Sequence, residues 1–140
     1  MYTYNNNPLL VASLLTATLS SPQIGNLKNM KELGIQKNKI EGCLASGIGG
    51  CSSLETLHCE FNNLSELPKT FGKLKSLRKL YMNDNKFTKL HACIGKCPMI
   101  EVINAENNSI EKIAKRIKVR GGRSEATIVY KLRPHATVAQ

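Results

Sequence analysis

Four segments of this chain place apolar and polar residues in the same order. LETLHCEFNNLSEL (54–67) stacks on LRKLYMNDNKFTKL (77–90) and on IEVINAENNSIEKI (100–113), and MKELGIQKNKIEGC (30–43) precedes them. Each reads apolar-x-x-apolar-x-apolar-x-x-Asn-x-apolar-x-x-apolar. The first positions, Met30, Leu54, Leu77 and Ile100, recur at a constant interval from Leu54 onward, with the step from Met30 longer by one. Asn38, Asn62, Asn85 and Asn108 form one column. A fixed period of this length means that one supersecondary unit recurs and stacks, because a single unit cannot bury its apolar side alone.

The columns predict the local structure. Apolar residues two apart, such as Leu57 with Cys59 or Leu80 with Met82, point to one side of a short strand. Successive repeats then pair these strands into a parallel sheet. The chain must turn after each strand, and a buried turn leaves backbone polar groups to satisfy. An Asn amide both donates and accepts, so Asn38, Asn62, Asn85 and Asn108 are expected to bond neighbouring turns as a structural ladder. Leu64 and Leu67 fill the wedge behind. Ile48 and Cys51, Phe71 and Leu74, and Ile94 and Cys97 close the core from the opposite side, on short helical or 3₁₀ turns.

This pattern resembles the leucine-rich repeat family over residues 27–113, and LPKTFGKLKSLRKL (67–80) resembles its intracellular, Leu-Pro-containing Ras-group subtype. The resemblance implies an α/β leucine-rich-repeat solenoid: a horseshoe arc with the parallel β-sheet on the concave face and short helical or 3₁₀ segments on the convex face. The units divide as 30–53, 54–76, 77–99 and 100–120. Residues 1–29 read as a divergent first repeat with a longer convex helix, in which Tyr2, Tyr4, Asn7 and Leu9 take template positions. Met1 would then fall inside a strand, as in a chain cut from a longer repeat protein. Residues 121–140 read as a basic C-terminal tail or a capping strand, with Ala126 and Ile128 at strand positions in strict register.

Composition sharpens this picture in three ways. The net charge of +10 is uneven: from Lys112 onward eight basic residues face one acid, whereas residues 1–111 carry twelve basic and nine acidic. Such a tail can attract nucleic acid or an anionic membrane. The five cysteines form no CxxC pair and are odd in number, which is no disulfide framework. LLVASLLTATL (9–19) is too short to span a bilayer. No Lys or Arg precedes it, as a signal peptide would need, so it is assigned to the first repeat.

Candidate chemistry lies on the outward side of the strands. The outward columns are Glu32, Gly34, Gln36 and Lys37; Thr56, His58, Glu60 and Phe61; Lys79, Tyr81, Asn83 and Asp84; and Val102, Asn104, Glu106 and Asn107. Interfaces favour aromatic anchors inside a polar rim. Tyr81 and Phe61 are the expected anchors. Gln36, His58, Glu60, Lys79, Asn83, Asp84, Asn104 and Glu106 complete the expected partner-binding face. His58 and Cys59 are adjacent but face opposite ways on a strand, so no Cys–His dyad is expected. Glu60, Asp84 and Glu106 read as solvated carboxylates. LHACIGKC (90–97) suggests metal ligands at first sight, but Cys51 and Cys97 fall in the Leu74 column, Cys43 in the Leu67 column and Cys59 in the Met82 column. These four are expected in the core, with Cys93 left outside. No catalytic residue, metal or cofactor is therefore assigned.

The function expected is that of a non-enzymatic, monomeric, cytoplasmic adaptor in signalling that binds a protein on its concave face. By analogy with the Ras-group subtype, the partner would be a small GTPase or a phosphatase complex. A secreted or cell-surface recognition module is the alternative, as is a repeat domain that docks on nucleic acid or anionic lipid through its basic tail.

Overall fold

In the computed structural model, which describes residues 22–113 and the strand segments Thr127–Val129 and Thr137–Val138, each repeat lays down one strand on the main sheet and one on a side sheet. The strands are β1 (Glu32–Gly34), β2 (Glu41–Cys43), β3 (Thr56–His58), β4 (Asn63–Glu66), β5 (Lys79–Tyr81), β6 (Lys89–Leu90), β7 (Val102–Asn104), β8 (Lys112–Ile113), β9 (Thr127–Val129) and β10 (Thr137–Val138). The main sheet runs β1-β3-β5-β7-β9, all parallel, with Leu33 opposite Leu57, Leu57 opposite Leu80 and Leu80 opposite Ile103. Short side sheets pair β2 with β4, β6 with β8 and β8 with β10. Behind them lie 3₁₀ turns at Pro22–Asn26, Ser46–Gly50, Lys69–Lys73 and Ile94–Lys96. The fold is thus an α/β leucine-rich-repeat solenoid, as the period implies.

The apolar columns account for the core. Leu57, Leu80 and Ile103 are fully buried, as are Cys59, Met82 and Ala105 further along each repeat. Leu64, Phe87 and Ile110 fill the wedge, and Ile48, Phe71 and Ile94 reach inward from the 3₁₀ turns. At about 1.5–3 kcal/mol for each fully buried large side chain, these columns supply the main driving force, which the short strands alone could not.

Each turn after the main strand passes through one left-handed residue: Lys37, Phe61, Asp84 and Asn107, with φ of 56°, 56°, 53° and 51°. The next residue is the ladder asparagine. Asn62 Nδ2 donates to the Ile35 carbonyl of the preceding repeat at 3.0 Å and to the Cys59 carbonyl of its own at 3.0 Å, while its Oδ1 accepts from the Ile40 N–H at 3.2 Å. Asn85 and Asn108 repeat this pattern one and two rungs on. Asn38, on the first described rung, bonds the Ile35 and Gln36 carbonyls of its own turn. A second column stands just before the strands. Lys31, Glu55, Arg78 and Glu101 alternate in sign; Lys31 pairs with Glu55 at 3.7 Å, and Arg78 pairs with Glu101.

Two cysteine assignments are corrected. Cys43 is exposed, and Leu44 takes the core position equivalent to Leu67. The cause is the one long repeat: the stretch from Ile40 to Leu44 holds one residue more than that from Leu64 to Leu67. The register between β2 and β4 slips between Gly42 and Cys43, beside Gly42 at φ 70°. Glycine adopts that backbone without steric cost. Cys93 is buried rather than outside the core, on the approach to the Ile94–Lys96 turn. The remaining three thiols lie inside, and each also donates a hydrogen bond. Cys51 reaches the Ile24 carbonyl at 3.2 Å and Cys97 the Phe71 carbonyl at 3.5 Å, both in the preceding repeat, and Cys59 reaches the Tyr81 carbonyl at 3.2 Å. Leucine in the same column could not do this.

At the C-terminal end, β9 pairs with β7 so that Ile128 stands opposite Ile103. Strict register places Ala126 there instead, so the last step is longer than the repeats before it. The longer convex helix expected at SLLTATLSS (13–21) and the template positions Tyr2, Tyr4, Asn7 and Leu9 lie outside the described residues.

Candidate concave binding face

The face is built by the strand pleat: Leu57, Leu80 and Ile103 turn inward, so the residues on either side of each turn outward. His58 on β3 and Tyr81 on β5 occupy facing positions, and their rings stack with centroids 4.6 Å apart and planes 8° apart. Both nitrogens of His58 meet carboxylates. Nδ1 lies 3.3 Å from Glu60 Oε1 and Nε2 lies 3.7 Å from Glu32 Oε1. Three adjacent strands are therefore joined at one half-buried imidazole. Glu60 is the most enclosed acid of the group, and its Oε2 is buried with no hydrogen-bond partner.

A second cluster sits one repeat further along. Asp84 accepts from Asn83 Nδ2 at 2.6 Å and from Asn107 Nδ2 at 3.0 Å, which ties the third and fourth turns together. Asn104 Oδ1 accepts from the Glu106 N–H at 3.1 Å. At the rim, Phe61 is 48 % exposed, and the Lys37 ammonium stands 5.9 Å from its ring centroid. Lys79 is exposed opposite Thr56, and the Gln36 side chain folds back over Gly34.

The structure thus gathers His58, Glu60 and Tyr81 into one group and joins Asn83 to Asp84, while Asn104 bonds the Glu106 N–H on the next strand and turn; Phe61, Lys79 and Gln36 stand at their margins. Glu60, Asp84 and Glu106 do not form a carboxylate cluster, since Glu60 bonds His58, Asp84 bonds two asparagines and Glu106 is exposed. Glu32 and Asn107 stand in the outward columns of the sequence, but their roles as partners of His58 and Asp84 come only with the structure. The signal was the relation between neighbouring strands, where long side chains on adjacent and diagonal positions still touch.

Other chemistry is set by burial. Cys59 faces away from His58, and burial pushes its thiol strongly up. Burial likewise pushes the Cys97 thiol up to about 12, with Cys93 adding to the shift and Lys75 opposing it. His91 is pulled below the ordinary 6.5, first by burial and then by Lys89, with Glu66 opposing. Among the described residues, no group of three or more His, Cys, Asp or Glu is placed to hold a metal ion, and no helix is long and apolar enough to cross a membrane.

Comparison with known proteins agrees with this geometry. Residues 52–95 match the family described as "Leucine Rich repeats (2 copies)". Over 65 residues, 44% of this chain, the sequence is 38% identical to a probable serine/threonine-protein kinase, pats1, of Dictyostelium discoideum, of which it covers 2%. Over 86 residues, 61% of this chain, it is 31% identical to an adenylate cyclase of Schizosaccharomyces pombe, of which it covers 5%. The chain therefore spans a small fraction of either relative. A leucine-rich-repeat protein of Leptospira interrogans superposes with a TM-score of 0.66 at 28% identity, over 69% of this chain and 24% of that one. The plant peptide hormone receptor RGFR1 in complex with RGF2 superposes with a TM-score of 0.64 at 25% identity, over 79% of this chain and 18% of that one.

Proposed function

We propose that this leucine-rich-repeat chain is a protein-recognition module that holds its partner on the concave sheet, centred on the His58–Tyr81 stack. The observation that carries the reading is that stack together with Phe61. Tyr81 offers an aromatic surface fixed by His58 and the two carboxylates, so little side-chain freedom is lost when a ligand covers it. Phe61 is a bulky residue held in a left-handed turn, a conformation that costs on the order of 1–2 kcal/mol for a non-glycine residue, and its ring still faces solvent. Neither burial nor backbone preference explains a phenylalanine there; contact with a partner does. Similarity to a plant peptide hormone receptor in complex with RGF2 supports a peptide or protein ligand.

We place the module inside the cell, as part of a signalling protein. All five cysteines are free thiols, which suits a reducing compartment. The similar segments of a probable protein kinase and an adenylate cyclase support a signalling context. A partner of the small GTPase or phosphatase type fits the Leu-Pro segment at 67–68. The similarity to a plant peptide hormone receptor keeps extracellular recognition as the second reading.

The test is a pull-down with quantitative mass spectrometry, using the wild-type chain and a Phe61→Ala/Tyr81→Ala double variant of unchanged far-UV spectrum. The reading expects a specific partner to be recovered with the wild type and at least about tenfold less with the variant, as for loss of two central anchors. Equal recovery of every partner by both chains overturns it.

A further inference from the structure

We propose that the convex side of the units 54–76 and 77–99 is a second interaction surface, one that docks on an anionic phospholipid membrane. The charges of this chain are sorted by face. No acidic residue lies in the connections that carry the 3₁₀ turns, at 22–29, 45–53, 67–76 and 91–99. The acids between 22 and 113 all lie in the strands and the turns beside them. By contrast, Lys69, Lys73, Lys75 and Lys96 stand on the 3₁₀ turns or beside them, all exposed, and none is in an ion pair among the described residues.

The packing holds two of these lysines in line. Lys73 and Lys96 occupy equivalent repeat positions and end successive 3₁₀ turns. A Cβ built on Gly72 would come within 3.0 Å of both Cβ and Cδ of Lys96. The aliphatic stem of Lys96 is thus laid along the bare Gly72 backbone, next in sequence to Lys73. Met99, 42 % exposed, follows Lys96 closely and gives this side an apolar contact.

Lipid fits this surface better than nucleic acid. Single-stranded nucleic acid is held by aromatic side chains on which bases stack. The one aromatic residue in the described convex turns, Phe71, is fully buried. Lysines with an exposed methionine instead match an anionic headgroup layer, where each lysine near the surface strengthens binding about fivefold. This surface is separate from the concave face and does not depend on the reading given for it.

The test uses the full chain in a vesicle flotation assay. Phosphatidylcholine vesicles are compared with vesicles containing about one-third phosphatidylserine, across a salt series. The proposal expects binding to the anionic vesicles alone, weakened by salt. It expects a loss of roughly several hundredfold in a Lys69→Gln/Lys73→Gln/Lys75→Gln/Lys96→Gln variant, retention in the matching four-arginine variant, and no change in Phe61→Ala/Tyr81→Ala. Absence of phosphatidylserine-dependent binding overturns it. So does equal binding by the four-glutamine variant, which would assign the affinity to other basic residues. Tighter, lysine-dependent binding to a single-stranded RNA than to the vesicles would replace lipid with nucleic acid.

Discussion

Asn85 Nδ2 donates to the Cys59 carbonyl of the preceding repeat at 2.9 Å, and Asn85 Oδ1 accepts from the Leu64 N–H of that same repeat at 2.9 Å. One buried side chain thus satisfies two backbone groups of its neighbour. Asn85→Ala strips the Leu64 N–H of this acceptor, at about 1–3 kcal/mol, and leaves the Cys59 carbonyl to Asn62 Nδ2 alone, so a loss of about 2–3 kcal/mol is expected by urea denaturation. Asn85→Asp is expected to be worse still, since a carboxylate cannot donate to carbonyls and brings a charge into a buried site. Asn38→Ala, which removes bonds only to its own half-exposed turn, is expected to cost about 1 kcal/mol. Equal losses at positions 38 and 85 would show that the inter-repeat rungs add nothing.

Glycines separate two kinds of constraint. A Cβ on Gly47 would lie 2.2 Å from the Pro22 carbonyl oxygen and 2.8 Å from its Cα, both backbone atoms that cannot rotate aside. Gly47→Ala is therefore expected to destabilise by about 1–3 kcal/mol. A Cβ on Gly42 meets nothing within 4 Å, but its φ is 70°. Gly42→Ala is expected to cost about 1–2 kcal/mol through backbone strain alone, and Gly42→Asn less, because asparagine tolerates that region. Thermal melts of the three variants test this order.

Thiol reactivity reports the corrected register. Cys43 is the exposed cysteine, and the other four are buried. A chromogenic disulfide reagent is expected to titrate one thiol per native chain quickly and all five after denaturation. The fast thiol should vanish in the Cys43→Ser variant; a wild-type rate unchanged by that substitution would mean that the shift at Gly42 is misplaced. Burial and Glu66 both push the Cys43 thiol up, so its rate should still be climbing with pH above the ordinary thiol range.

His91 gives a pH dependence with a definite sign. Its Nε2 is buried without a hydrogen-bond partner, and burial lowers its proton affinity below the ordinary value of 6.5. The unfolded chain then binds the proton more readily than the folded one. Stability from this group is present above 6.5 and is lost as pH falls toward the lower folded value. Denaturation midpoints measured from about pH 7.5 down to about 5 should fall, and His91→Gln should flatten that slope. A variant with the wild-type slope would assign the pH dependence elsewhere.

The fold is legible in the sequence because its determinants are periodic. Leu57, Leu80 and Ile103 recur at one spacing, and each meets the same neighbours, so one unit explains the others. The two corrections fall where the apolar columns give no guide. The long interval from Met30 to Leu54 carries Cys43 onto Leu67, but the extra residue lies between Ile40 and Leu44 and returns Leu44 to the phase of the later repeats. Cys93 has no apolar counterpart in its column, since Thr70 stands one repeat earlier, so no pattern marks its burial. The concave face is legible as a set of columns but not as contacts. That His58 stacks on Tyr81 while touching Glu32 and Glu60 depends on rotamers and strand twist, which alternation alone does not encode.

The alternating column Lys31, Glu55, Arg78 and Glu101 makes the order of the repeats matter. The four units look interchangeable by their apolar positions, but this column gives them parity. Excising the single unit 54–76 would set Lys31 beside Arg78, two like charges in one rung, whereas excising 54–99 would restore an opposite pair, Lys31 with Glu101. Lengthening or shortening such an array is therefore electrostatically neutral in steps of two units and unfavourable in steps of one.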